Sequence, residues 1–282
     1  MKLLRYGPVG QEKPGLMDED DNIRDLSAHV DDISGDVLLP EGLEKIAALN
    51  VSDLPVIEGS PRLGACVGNI GKFMCIGLNY TDHAAESGMP VPEEPILFAK
   101  FNSAISGPND DVIMPRGSTK LDWEVEFGIV IGSKTKYISE SQALEHIAGY
   151  CVINDVSERA YQLDGTGQWV KGKACDSFGP VGPWLVTKDE ISDPQNLRLW
   201  LEVNGTRYQD GNTSTMIFSA AHIVSYLSNL FTLYPGDVIA TGTPPGVGSG
   251  MKPPVFLQIG DKMRLGIDGL GEQNQVVVAD QT

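Results

Sequence analysis

Along residues 197–203, Leu197, Leu199, Leu201 and Val203 alternate with other side chains, and the alternation stops at Asn204-Gly205. A period of two closed by this dipeptide predicts a strand and a tight hairpin. The run Gly128-Ile129-Val130-Ile131-Gly132 reads as a strand buried on both faces, and Gly149–Ile153 as a second apolar strand. Helical signals are fewer. Ser139 with Gln142 has capping-box spacing and opens a helix with Ala143, Leu144, Ile147 and Ala148 on one face. Ser219 is placed to cap another, whose face is Ile223, Val224, Leu227 and Phe231. Near the start, strand-like runs Lys2–Tyr6, Pro14–Met17 and Asn22–Leu26 are separated by Gly/Pro and acidic turns, and a helical piece, Glu41–Leu49, follows Pro40. A Pro/Ser/Gly-containing stretch, Leu54–Leu63, then leads to the apolar run Phe73–Gly77. Strands outnumber helices and do not alternate with them regularly, which predicts a β-rich α+β fold. A boundary near Asn69 divides it into a small N-terminal domain, 1–69, and a larger domain, 70–282.

The 282 residues are 41% hydrophobic, enough for a sizeable core. The formal net charge of −17 argues against a protein that tracks nucleic-acid phosphates. It leaves room for an anionic substrate, because a local metal reverses the potential inside a cleft. No apolar run follows Lys2 as a signal-peptide core, and none approaches membrane-spanning length. A cytoplasmic protein without a membrane partner is the simplest expectation. Cys66, Cys75, Cys151 and Cys175 are scattered and form no CxxC pair; Cys75 and Cys151 sit in apolar runs, as buried free thiols do.

Five segments carry candidate chemistry. In Asp122-Trp123-Glu124-Val125-Glu126-Phe127, period-two spacing puts Asp122, Glu124 and Glu126 on one strand face. An isolated E-x-E is usually a solvated face, but this strand continues into the buried run, where carboxylates need a partner. Asp155 ends the second apolar strand; it suits a metal ligand and equally a cap for Ser157–Gln162. Together Glu124, Glu126 and Asp155 make an all-oxygen set that favours Mg²⁺ or Mn²⁺, is compatible with Ca²⁺, and leaves positions open for substrate and water. No Cys/His spacing suggests zinc. In Gly77–Glu86, a helix capped by Asn79 or Thr81 puts His83 and Glu86 on one face, either as a general base with its orienting carboxylate or as an exposed ion pair. Lys173, in the Gly-flanked turn Val170–Pro180, can reach a developing oxyanion, although most lysines are solvated. The loop Thr241–Gly248 permits close approach of backbone to a ligand but lacks the Lys-Ser/Thr of a nucleotide loop.

In this order the five segments resemble the fumarylacetoacetate hydrolase family from about Gly71 to about Gly269. Gly77, Asn79, Tyr80, His83 and Glu86 meet its G-x-N-Y-x-x-H-x-x-E pattern; Glu124, Glu126 and Asp155 meet its metal motif; Arg159, Gln162, Lys173 and the Gly242–Gly248 loop fall on its later positions. The resemblance implies a rolled, mixed sheet, a short helix carrying the His–Glu pair, Mg²⁺ or Mn²⁺, and a homodimer. It implies His83, Glu86 and Lys173 as the catalytic group, with Tyr80, Lys100, Arg159, Gln162 and Thr243 binding substrate. Water activated by His83 then attacks the 4-keto carbon of a small anionic 2,4-diketo acid. Lys173 holds the oxyanion, and the C3–C4 bond breaks to release the pyruvate half, as in hydrolases of carbon–carbon bonds in ketonic substances.

The whole chain looks similar to members that hydrolyse 2,4-diketo-3-deoxy-L-rhamnonate or -fuconate to pyruvate and lactate. Ureidoglycolate lyases, oxaloacetate decarboxylases and diacid isomerases use the same metal half, so that motif cannot separate them. The expected specificity residues lie in Ser87–Pro95 and Tyr208–Met216. A non-catalytic metal-binding domain would need the carboxylates but neither the His–Glu pair nor Lys173, and both are present.

Overall fold

The two apolar runs pair with each other in the middle of a ten-stranded mixed sheet. Val125–Ile131 and Ile147–Asn154 run antiparallel, with Tyr150 opposite Ile129 and Ile153 opposite Glu126, and every residue of both strands is buried. The computed structural model describes residues 1–82, 86 and 90–281. Across the large sheet the order is Ile23–Asp25, Lys13–Met17, Lys2–Tyr6, Gly179–Thr187, Ile147–Asn154, Val125–Ile131, Val238–Ala240, Phe73–Gly77 and Ile96–Lys100, with Ile105–Ser106 beside Gly179–Thr187. A five-stranded sheet, Thr206–Asn212, Arg198–Val203, Lys262–Ile267, Gly271–Ala279 and Val112–Met114, lies over it. Val125, Phe127, Ile129 and Ile131 share one buried cluster with Leu199, Leu201, Leu265 and Ile267 of the smaller sheet. The β-rich α+β class is what the chain adopts.

The predicted hairpin forms: Asn204 and Gly205 turn with φ of 51° and 80°, joining Arg198–Val203 to Thr206–Asn212. Ser219 Oγ accepts from His222 N at 3.1 Å and opens Ala220–Leu230, which buries Ile223, Val224 and Leu227. The capping box also forms, with Ser139 N donating to Gln142 Oε1 at 3.2 Å. Its helix is shorter than expected. It ends after Glu140–Ala143 and one 3₁₀ turn, Leu144–His146, and Ile147 and Ala148 enter the strand. Gly149 disfavours helix continuation, and pairing of Ile147 with Ile131 draws the chain into the ladder.

The N-terminal strands also form, at Lys2–Tyr6, Lys13–Met17 and Ile23–Asp25, followed by the helix Pro40–Ala47. They make no sheet of their own. Lys2–Tyr6 pairs antiparallel with Gly179–Thr187, and Leu3, Leu16, Leu38 and Ile46 share a buried cluster with Phe73, Cys75, Val130 and Cys151. A three-stranded ribbon alone would leave that apolar face wet and its edge unpaired, so residues 1–69 extend the sheet of 70–282. Among the described residues no helix is long and apolar enough to cross a membrane.

The Ser219 cap gives a direct test of the helix reading. Ser219→Ala is expected to lower stability by about 1 kcal/mol, measured from urea-unfolding midpoints, because His222 N loses its acceptor. An unchanged midpoint contradicts the assignment.

Candidate active site

Two hydrogen bonds bring the metal-binding candidates together. Asp155 N donates to the Glu124 carbonyl at 2.9 Å, and Glu124 N donates to Asn154 Oδ1 at 3.2 Å. They tie the end of Ile147–Asn154 to Glu124, just outside the neighbouring strand. One carboxylate oxygen from each of Glu124, Glu126 and Asp155 then lies within 4.8 Å of the others, and all three residues are buried. Asp155 is not the cap of the following helix. Glu158 Oε1 accepts from Ala160 N at 3.0 Å and starts Arg159–Leu163. Asp122, expected on the same face, turns aside, its carboxylate accepting from Trp123 N, Gly248 N and Ser249 N at 2.9, 2.7 and 3.0 Å.

Three buried cations answer these charges. Lys173 Nζ lies 2.7 Å from both Glu124 Oε2 and Asp155 Oδ2. Arg159 spans Asp122 Oδ2 at 2.8 Å and Glu124 Oε1 at 2.7 Å, and its third nitrogen donates to Gln162 Oε1 at 3.0 Å. Lys100 Nζ lies 2.6 Å from Asp155 Oδ1. Glu126 is different: Gly242 N donates to its Oε2 at 2.8 Å, and among the described residues no cation pairs with it. Burial, then the nearby Asp155 and Glu124, push its carboxyl well above the usual range. Burial alone would lower Lys173, but Asp155 and Glu124 outweigh it, so the ammonium holds its proton above its ordinary value. Four buried carboxylates (Asp122, Glu124, Glu126, Asp155) face three buried cations (Lys100, Arg159, Lys173). Among the described residues, the excess of carboxylates over cations, the all-oxygen donors and a Glu126 that no cation meets fit a hard divalent cation such as Mg²⁺ or Mn²⁺.

Above the carboxylates opens a cleft of about 500 Å³. Glu124, Glu126, Arg159, Gln162, Lys173 and Thr243 line it, together with Glu86. Glu86 accepts from Gly246 N at 3.2 and 3.1 Å to its two oxygens. The glycine loop thus holds Glu86 while its Gly242, Thr243 and Val247 line the cleft. Gly242, at φ 100°, presses against Asn79, where a Cβ would sit 2.7 Å from the Asn79 Cβ; Gly246, at φ 106°, leaves no room for a Cβ beside the Tyr208 carbonyl. Thr81, Asp82 and Glu86 are helical, and His83 lies outside the described residues. Asn79 does not cap this helix. Its amide donates to Phe218 O and Thr241 O at 3.0 and 2.7 Å, and its oxygen accepts from Phe218 N at 2.7 Å.

Three expectations are corrected. Tyr80 is fully buried in the core and does not line the cleft. Lys100 lies beneath the floor, because its ammonium is drawn to Asp155 and two backbone carbonyls. Tyr208–Met216 contributes no described lining residue, since the hairpin commits it to the smaller sheet. Ser87, Gly88 and Met89 lie outside the described residues. Gln209, hidden in that hairpin, supports the site: its Oε1 accepts from Val125 N at 2.9 Å, and its Nε2 donates to Thr243 Oγ1 at 2.8 Å and Pro244 O at 2.9 Å. Nothing in the sequence around Gln209 marked it for this role. Trp169 was also missed. It lines the cleft edge-on to Phe98, and Gly77 gives it room, since a Cβ there would lie 2.4 Å from the ring.

Comparison with known proteins agrees with this fold. The family model described as fumarylacetoacetate (FAA) hydrolase C-terminal matches residues 72–278. A Burkholderia multivorans protein, provisionally named a hydrolase, is 62% identical over 280 residues, 99% of each chain. The fumarylacetoacetate hydrolase from psychrophilic Exiguobacterium antarcticum is 35% identical with a TM-score of 0.89, covering 99% of this chain and 100% of that one. Maleylpyruvate hydrolase from Sphingobium sp. SYK-6, solved in complex with manganese(II) ion and pyruvate, is 30% identical with a TM-score of 0.83, covering 100% of both chains. With the match spanning most of its length and relatives this similar end to end, the chain belongs to the fumarylacetoacetate hydrolase family.

Proposed function

We propose that the protein is a divalent-metal-dependent hydrolase that cleaves the C3–C4 bond of 2,4-diketo acids. The observation that carries this reading is the buried Glu124–Glu126–Asp155 cluster, left with surplus negative charge at the floor of a cleft that also holds Lys173. These three carboxylates would hold Mg²⁺ or Mn²⁺, which supplies a Lewis acid for the 1-carboxylate and 2-keto end of the substrate. The manganese and pyruvate in the maleylpyruvate hydrolase neighbour support the same assignment.

The chain's own groups do the rest. Arg159, braced by Asp122 and Glu124, and Gln162 present cationic and amide groups to an anionic substrate at the cleft wall. His83, oriented by Glu86, takes a proton from water, and the water oxygen bonds to C4. The electron pair of the C4 carbonyl moves onto its oxygen, where Lys173, held protonated, offers a positive charge. That pair returns as the C3–C4 bond breaks, leaving the bond's electrons in the enolate of the pyruvate half. The proton goes back to C3, and the products are pyruvate and a carboxylic acid. The whole-chain likeness to sugar-acid hydrolases favours 2,4-diketo-3-deoxy-L-rhamnonate or -fuconate, which give lactate as the second product. Homodimeric assembly belongs to the same proposal.

Turnover is followed by loss of the β-diketone enol absorbance with acylpyruvates and 2,4-diketo-3-deoxy acids. Chelation is expected to abolish it and Mg²⁺ or Mn²⁺ to restore it, with Zn²⁺ restoring it poorly; Glu126→Gln should lose Mn²⁺ binding. Full activity in the metal-stripped protein contradicts the proposal.

The His–Glu pair separates water activation from metal binding. His83→Ala should keep Mn²⁺ affinity near wild type while kcat falls by roughly 10²–10⁴, and Glu86→Gln should fall less. Unchanged hydrolysis in His83→Ala eliminates the water-activation step. For the assembly, sedimentation at micromolar concentration should give twice the chain mass, and a monomer alone rules the dimer out.

A further inference from the structure

Lys100 resembles a substrate-binding lysine only in sequence. Its side chain is fully buried, with Nζ 2.6 Å from Asp155 Oδ1 and 3.2 Å from the Val156 carbonyl, and it also donates to the Lys173 carbonyl. Two of the ammonium's three donors go to these carbonyls, and its charge lies against Asp155 Oδ1, so it is held beneath the floor and away from a ligand in the cleft. The partners are a metal-ligand carboxylate, the residue after it, and the backbone of the lysine assigned to the oxyanion. Burying an ammonium is offset by a close counter-charge and hydrogen bonds, and Asp155 with the two carbonyls supplies both.

We propose that Lys100 is a positioning residue for both halves of the site. Its ion pair with Oδ1 leaves Asp155 Oδ2 to Lys173 Nζ, which donates to it at 2.7 Å. Its bond to the Lys173 carbonyl pins the end of the Val170–Lys173 turn and so fixes where that ammonium stands beside Glu124. Lys100 itself is contributed by Ile96–Lys100, the outermost strand of the large sheet, so one side chain ties that edge to the metal floor. The inference rests on the metal-dependent reading of the floor, yet its main readout is equilibrium binding rather than turnover.

The sign of the effect separates positioning from charge. A lysine that merely added positive charge would oppose a cation, so its removal would tighten Mn²⁺ binding. A lysine that orients a ligand does the reverse, because losing such a supporting contact weakens metal affinity about 10–100-fold. The test is Mn²⁺ titration calorimetry on the full chain, wild type against Lys100→Met, with urea unfolding to establish that the variant is folded. The expected result is a Kd raised at least tenfold, and an acylpyruvate kcat that falls while KM changes little. Unchanged or tighter Mn²⁺ binding in folded Lys100→Met overturns the proposal, as does a rise confined to KM, which marks a substrate contact. A lysine needed only for folding would lower the urea midpoint and leave the Mn²⁺ Kd alone. Lys100→Arg keeps the charge but cannot place one nitrogen on all three partners, so it should weaken Mn²⁺ in the same direction. Wild-type affinity in that variant also overturns the proposal. If the wild type binds no Mn²⁺, the metal reading falls and this inference with it; if wild type and variants bind alike, only the inference falls.

Discussion

Three buried carboxylates held within 4.8 Å of one another repel strongly, and the surrounding structure is arranged to answer that repulsion. Two unit charges 4 Å apart interact by about 4 kcal/mol at an effective dielectric near 20, several times the worth of a surface ion pair. Lys173 and Arg159 meet Glu124 from two sides, Lys173 and Lys100 meet Asp155 from two sides, and Gly242 N meets Glu126. Each of these partners comes from a different part of the chain. The strand pairing that delivers them is therefore a condition for burying the carboxylates.

Neutral amides hold the frame around the charges. Asn154 Oδ1 takes Glu124 N, while its Nδ2 donates to Gln275 Oε1 at 3.0 Å on the smaller sheet. Gln275 in turn donates to Pro108 O, and Gln273 to Val152 O and Gly182 O. Gln209 does the same for Val125 and Thr243 from the far edge. The smaller sheet is thus more than a lid on an apolar core. It supplies fixed dipoles that set backbone positions at the ends of the two central strands, without adding charge to a floor already crowded with it.

Much of this was legible in the residues. Period-two spacing and a two-sided apolar run located Glu124 and Glu126, and an acidic residue ending a second such run located Asp155. Local patterns could not supply partners that arrive through tertiary pairing. Lys100 ends a short strand whose local pattern does not distinguish it from a solvated lysine, the family resemblance offered it only as a substrate contact, and the sheet order with its ion pair places it under Asp155. Gln209 is an ordinary polar residue in a hairpin until that hairpin is folded over the Thr243 loop. The helix face through Ile147 and Ala148 failed for a related reason: a 3.6 period and an apolar strand overlap there, and pairing with Ile131 decided between them.

The sheet order also bears on how the chain comes together during synthesis. Val125–Ile131 and Ile147–Asn154 are neighbours in sequence, so the hairpin carrying Glu126 and ending at Asp155 can pair as soon as it leaves the ribosome. Phe73–Gly77 and Ile96–Lys100 pair with each other early as well, but they join the sheet only through Val238–Ala240. Closing that gap spans more than half the chain, and contacts of such long sequence separation form slowly. The acidic floor is therefore made first and must wait, unneutralised by Lys100, until the last third of the protein has emerged. Lys100 reaches Asp155 only once Val238–Ala240 bridges the two strand pairs, so the floor is fully set last.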